Sequence, residues 1–147
     1  MTAHEILKQY FGYDSFRGGQ EQLINDILAF KDVLGVMPTG AGKSICFQIP
    51  ALMMDGLTLI VSPLISLMKD QVNALIQSGI AAAYINSSLT ERQINTALKN
   101  ARSNAYKLIY IAPERLLTDG FLDFVKSMRI SMITVDEAVI LILKRWI

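Results

Sequence analysis

With 147 residues and a formal net charge of +1, the chain has room for one domain and no strong basic or acidic bias. Hydrophobic residues make up 52% and the mean hydropathy is +0.35, yet no apolar run reaches the roughly 18 residues of a membrane span. The opening Met-Thr-Ala-His-Glu lacks the order of a signal peptide, and a single cysteine, Cys46, excludes an internal disulfide framework and makes a reducing, cytoplasmic setting the default.

Apolar spacing predicts two opening helices, over 3–11 and 19–30. Strand-like runs follow at 33–37, 57–62, 82–86, 108–112 and 132–136, each ending in a turn or polar residue. Helical segments are expected between them at 43–54, 64–77, 90–101 and 120–128. Ser88 or Thr90 is the expected cap of the third of these, Gly79 the end of the second, and Pro50 a kink or break in the first. Short all-apolar strands alternating with helices imply an α/β sandwich built on a parallel sheet, in one layered domain.

The run Met37-Pro-Thr-Gly-Ala-Gly-Lys-Ser44 has the form of a phosphate-binding loop between a strand and a helix. Gly40 and Gly42 let the backbone turn tightly and present N–H groups to phosphate oxygens. Lys43 supplies a point charge toward the β- and γ-phosphates, and the Ser44 hydroxyl is a candidate Mg²⁺ ligand. Thr39, Gly40, Ala41, Gly42, Lys43 and Ser44 form the candidate nucleotide-binding set. The strict pattern begins with glycine, where this chain has Met37.

Farther on, Ser131-Met-Ile-Thr-Val-Asp-Glu137 is an apolar strand that delivers two carboxylates at its C-terminal end, where open α/β sheets bind ligands. Asp136 is the expected holder of the metal shell, and Glu137 the group that orients or deprotonates an attacking water. Alone, Asp-Glu after a strand is an ordinary loop start; paired with a phosphate loop it implies nucleoside triphosphate hydrolysis. Lys43, Asp136 and Glu137 are the catalytic candidates. Cys46 and Phe47 read as core, His4 as a surface residue of the first helix, and Trp146 as an exposed aromatic.

Three further segments fall in order around the loop: Gly12-Tyr-Asp-Ser-Phe-Arg-Gly-Gly-Gln20, Ser62-Pro-Leu-Ile-Ser-Leu-Met-Lys-Asp-Gln71 and Tyr110-Ile-Ala-Pro-Glu-Arg-Leu116. With them the chain resembles the first motor lobe of RecQ-type DNA helicases, from near its N-terminus through Ala138. The resemblance implies a RecA-like P-loop lobe with a mainly parallel sheet, use of ATP with Mg²⁺, and 3′ to 5′ movement on DNA. It also implies adenine recognition by Tyr13, Arg17 and Gln20, as suits an aromatic ring and a guanidinium that stack and an amide that bonds a base edge. Gly18 stands where the family often has proline. Ser62, Lys69 and Arg115 are the implied holders of a single-strand backbone, in a motor that does not read base sequence. The division implied is adenine-recognition helices over 1–31, an α/β core over 32–138, and a tail over 139–147 that departs from the family.

After Asp136-Glu-Ala138 the resemblance stops, and Val-Ile-Leu-Ile-Leu-Lys-Arg-Trp-Ile147 follows where the family has histidine and an aromatic-rich loop. A frameshift, a truncated gene or an artificial end each accounts for this. The fold is then expected to be incomplete at its C-terminal end. ATP-dependent 3′–5′ DNA unwinding belongs to the complete protein, acting on single strands or duplex junctions and nucleoid-associated if bacterial. This chain by itself is expected to bind nucleotide weakly without unwinding. The alternative is an inert nucleotide- or DNA-binding fragment; an RNA helicase is disfavoured because that family prefers a Thr-Arg-Glu type segment where Ser62-Pro-Leu-Ile65 stands.

Overall fold

The structure is a computed structural model that describes residues 1–38 and 42–137. Among the described residues, Met1–Asp55 makes one compact unit and 56–137 a second.

The first unit is helical. Helix α1 (Ala3–Ile6) opens on a reciprocal cap: the Glu5 N–H donates to Thr2 Oγ1 at 3.2 Å, and the Thr2 N–H to Glu5 Oε2 at 2.7 Å. It continues as a π-helical turn, Leu7–Phe11, that ends at Gly12 with φ 75°. Helices α2 (Gln20–Leu28) and α3 (Lys43–Met53) follow. Ile6, Leu7, Ile24, Ile45 and Ile49 interdigitate as a buried cluster, flanked by Tyr10, Phe16 and Leu28. Each such side chain contributes about 1.5–3 kcal/mol on burial. His4 is on the surface as expected, 3.6 Å from Glu21 and edge-on to Phe16.

Two local expectations are corrected here. Pro50 neither breaks nor divides α3, which runs through it to Met53. Proline forfeits one helical hydrogen bond, but Ile49, Pro50 and Ala51 are all buried, so packing holds the turn that propensity disfavours. The second correction is the strand expected at 33–37. That segment enters no ladder among the described residues, and Leu34 and Val36 are 71% and 88% exposed. An apolar run is a strand only when a neighbour takes its N–H and C=O groups. The paired strands all lie beyond Gly56, whereas Gly35 approaches Leu23 of α2 so closely that a Cβ there would lie 3.1 Å from Leu23 Cδ1.

The second unit is an α/β layer built from β1 (Leu57–Val61), α4 (Ile65–Gln77), β2 (Ala82–Ile85), α5 (Glu91–Arg102), β3 (Leu108–Ile111), α6 (Asp119–Ser127) and β4 (Ile130–Val135). Its four strands are all parallel, in the order β2-β3-β1-β4. Every residue of the central strands β1 and β3 is buried, which is why Leu-Thr-Leu-Ile-Val and Leu-Ile-Tyr-Ile carry no polar alternation. Edge strand β4 is half-buried along its length and begins at Ile130, two residues before its expected start. The α/β class and the parallel sheet therefore stand as expected.

Helix ends in this unit follow local chemistry. Gly79, with φ 85°, closes α4: its N–H donates to the Ile76 carbonyl at 2.9 Å, and the Ile80 N–H reaches Leu75 at 2.9 Å. Thr90 caps α5, accepting from the Gln93 N–H at 3.2 Å while Gln93 Oε1 accepts from the Thr90 N–H at 2.8 Å. Thr90→Ala removes half of this box and is expected to cost about 1 kcal/mol. A urea titration checks it, and a loss below about 0.3 kcal/mol would show that tertiary packing alone sets this helix start.

Candidate functional site

The 13–20 segment and Gly42, which introduces α3, meet in the first unit. Gln20, the first residue of α2, is 2% exposed. Its Oε1 accepts from the Arg17 N–H at 2.8 Å, and its Nε2 donates to the Gly42 carbonyl at 3.0 Å. One buried amide thus ties the 17–20 turn to the residue that introduces α3. The conformation of Gly42, φ 73°, favours glycine, and a Cβ there would lie 2.5 Å from Gln20 Nε2, so any other residue would displace the amide tip. On the outside of the same turn, the Arg17 guanidinium lies 5.9 Å from the centroid of the Tyr13 ring, and both side chains are exposed. Tyr13, Arg17, Gln20 and Gly42 are therefore brought together.

Lys43 and Ser44 are the first two residues of α3 and are half-buried. Gly42, which introduces α3, has no side chain to cap it, and the first turn of a helix attracts anions. Thr39, Gly40 and Ala41 lie outside the described residues, as does the tail from Ala138. One turn into α3, Cys46 and Phe47 are core as expected, at 7% and 6% exposure. Burial pushes the Cys46 thiol above its usual range, and its Sγ lies 3.6 Å from Met37 Sδ. A thiol held protonated in this way packs and does not attack.

In the second unit, the remaining candidates sit along the C-terminal rim of the sheet. The ladders continue one residue past the strands: the Ser62 N–H donates to Ile111 at 3.1 Å, the Ala112 N–H to Ile85 at 3.0 Å, and the Asp136 N–H to Val61 at 2.8 Å. Ser62, Ala112 and Asp136 are thereby held level, each opening a loop. Asp136 is 7% exposed, and its Oδ1 accepts from the Glu137 N–H at 3.0 Å. Glu137 follows in the left-handed region, φ 59°, and is exposed. Ser62, 4% exposed, accepts from the Leu64 N–H at 3.4 Å and shapes the entry to α4. Arg115 ends a single 3₁₀ turn, Pro113–Arg115, directly after β3. Lys69 stands exposed on α4.

Two residues at the rim have no counterpart in the sequence reading. Glu91 Oε1 accepts from Arg115 Nη1 at 3.2 Å across 24 positions of sequence. Asn86, 1% exposed, accepts from the Ser88 N–H at 2.9 Å and folds the loop after β2. A polar residue closing an apolar strand signals the second. Nothing in the spacing signals the first.

Comparison with known proteins places these features in a family. Residues 17–141 match the DEAD/DEAH box helicase family. The chain is 48% identical over 137 residues to the ATP-dependent DNA helicase RecQ of Bacillus subtilis, covering 92% of this chain and 23% of that protein. It is 50% identical over 137 residues to the protein of the same name from Haemophilus influenzae, covering 93% and 22%. A probable ATP-dependent DNA helicase RecS of Bacillus subtilis is 44% identical over 135 residues, with 91% and 27% covered. The chain spans about a quarter of the length of the curated relatives it matches. The RecQ likeness first carried by the short motifs thus extends over nearly the whole chain, and the four-stranded parallel sheet agrees with a RecA-like lobe. By the match over 17–141, the chain belongs to the DEAD/DEAH box helicase family.

Proposed function

We propose that this chain is the ATP-binding first motor lobe of a RecQ-type DNA helicase, which in the longer protein couples ATP hydrolysis to 3′–5′ unwinding of DNA. The observation that carries the nucleotide half is the Gln20 bridge from the Arg17 backbone to Gly42. It supports a base-recognising turn held in fixed relation to the start of the phosphate-binding helix. Tyr13 and Arg17 offer surfaces for the adenine ring, Gln20 an amide for its edge, and 39–44 the cradle for the phosphates. Lys43 counters charge on the transferred phosphoryl group, and Glu137 orients water for attack.

Ser44 in the first unit and Asp136 in the second are each proposed as a Mg²⁺ ligand; the ion, when bound, neutralises charge on the phosphates. A hydroxyl and one carboxylate suit this ion, because Mg²⁺ keeps waters and phosphate oxygens for most of its shell. The DNA half rests on the rim. Ser62 and Arg115 present a hydroxyl and a guanidinium beside ordered backbone, a chemistry that grips phosphate without reading bases; Lys69 adds a charge from α4. The relatives' names assign DNA to them, and this chain is proposed to act on the same polymer, as single strands or duplex junctions. No described helix is long and apolar enough to cross a membrane, and the proposed location is the cytoplasm or nucleoid.

Displacement of a fluorescent ATP analogue in the presence of Mg²⁺ tests the reading. ATP is expected to compete about tenfold more effectively than GTP, the equivalent of about one hydrogen bond to the base edge. Gln20→Ala is expected to narrow that gap. Equal competition by the two nucleotides would remove the adenine assignment.

A further inference from the structure

The ion pair between Arg115 and Glu91 is unequal in a way that matters for the proposed DNA face. Arg115 is anchored: it ends a turn held by the β3 rim, its carbonyl accepts from Thr118 Oγ1 at 2.8 Å, and its side chain is only 24% exposed. Glu91 is not: it begins α5 with its side chain 76% exposed. Contact is through a single point, Nη1 to Oε1 at 3.2 Å, whereas a guanidinium fork bonds a carboxylate or phosphate most strongly through two parallel N–H groups. Exposed, single-point pairs are the weak kind. A fixed cation faces a carboxylate that is free to swing aside.

Resting on the assignment of Arg115 to the strand-binding face, we infer that Glu91 is a built-in competitor for this guanidinium, holding it until a backbone phosphate takes its place. A phosphate offers the fork two oxygens and outbids a one-point carboxylate. When the strand moves on, Glu91 returns, so the site never presents a bare cation that would hold DNA through the step. The displaced carboxylate keeps a favourable position, because the first turn of a helix attracts negative charge. Glu91 thus tunes the grip on the strand without touching it. It is a positioning residue of the DNA face.

The experiment measures fluorescence anisotropy of a labelled 20-mer of deoxythymidine bound to the 147-residue chain over a range of KCl concentrations. Glu91→Gln, which removes the charge and keeps the size, is expected to tighten binding roughly threefold to tenfold at low salt. It is also expected to steepen the log–log salt slope by about 0.7, the increment for one more phosphate contact on a single strand. Arg115→Ala is expected to weaken binding and to abolish the gain when combined with Glu91→Gln. Unchanged or weaker binding by Glu91→Gln overturns the inference, as does an equal gain in the Arg115→Ala background. The Arg115 assignment and the Glu91 role fail by different results. If Arg115→Ala alone leaves affinity unchanged, the assignment of Arg115 to DNA falls and takes the inference with it. If it weakens binding while Glu91→Gln changes nothing, only the competitor role is lost.

Discussion

Lys43→Ala is expected to remove nearly all nucleotide affinity from this chain while leaving its thermal melt almost unchanged. Lys43 begins α3 directly after Gly42, at a helix start with no side-chain cap. Its ammonium is the one full positive charge within the loop 37–44. Hydrogen bonds to charged groups are worth about 1.5–3 kcal/mol each. Losing the charge and its contacts to two phosphates is then expected to cost about 2–4 kcal/mol, or roughly 30- to 1,000-fold in Kd. The fold is spared because alanine is at least as good a helix former as lysine and Lys43 is only half-buried. Titration of a fluorescent ATP analogue beside a melting curve reads both quantities. Affinity within about twofold of the parent would sink the phosphate-loop reading, since no other group in the loop replaces the charge.

Phe124→Ala is the substitution expected to cost most in stability. Phe124 is fully enclosed on the inner face of α6, in a cluster with Leu57, Leu59, Ile94, Leu98, Ile109 and Ile111. Its ring lies 5.7 Å from that of Phe121, and the Arg102 guanidinium sits 5.4 Å from its centroid. Truncation leaves a ring-sized cavity and strips Arg102 of its partner, for an expected loss of about 3–5 kcal/mol. Against a typical domain stability of about 5–15 kcal/mol, that is enough to leave a large unfolded fraction. Urea denaturation is expected to show a lower midpoint at unchanged slope. A loss below about 1 kcal/mol would mean that α6 does not dock on the sheet through this ring.

The expectations that held were those written in short stretches of chain. The runs 57–62 and 108–112 became β1 and β3 because an unbroken apolar strand has one stable place, the middle of a covered sheet. Thr90 and Gly79 ended their helices where local hydrogen bonding allowed. The 33–37 run failed for the complementary reason: its composition suits a strand, but strand structure belongs to a pair, and no described partner pairs with it. Pro50 did not divide α3: the helix continues to Met53 through a stretch in which Ile49, Pro50 and Ala51 are all buried. The candidate site divides in the same manner. The positions of Gly42, Lys43 and Ser44 at the start of α3 and of Asp136-Glu137 just after β4 were legible because each is a contiguous stretch beside one element. The Gln20 tie to Gly42 spans 22 positions and the Glu91–Arg115 pair 24, and neither has a spacing rule.

The sequence by itself determined which strands are buried on both faces, where helices begin and end, and which charged side chains stand beside them. These depend on nearest neighbours and on hydrophobic period, and both are local. Only the tertiary structure decided the strand order β2-β3-β1-β4, and with it the levelling of Ser62, Ala112 and Asp136 on one rim. It alone set a buried amide between the 17–20 turn and Gly42, and a carboxylate against the guanidinium proposed to hold DNA. Contacts of that kind are chosen by packing among distant segments, where the gain from burial outweighs the entropy of closing the intervening chain.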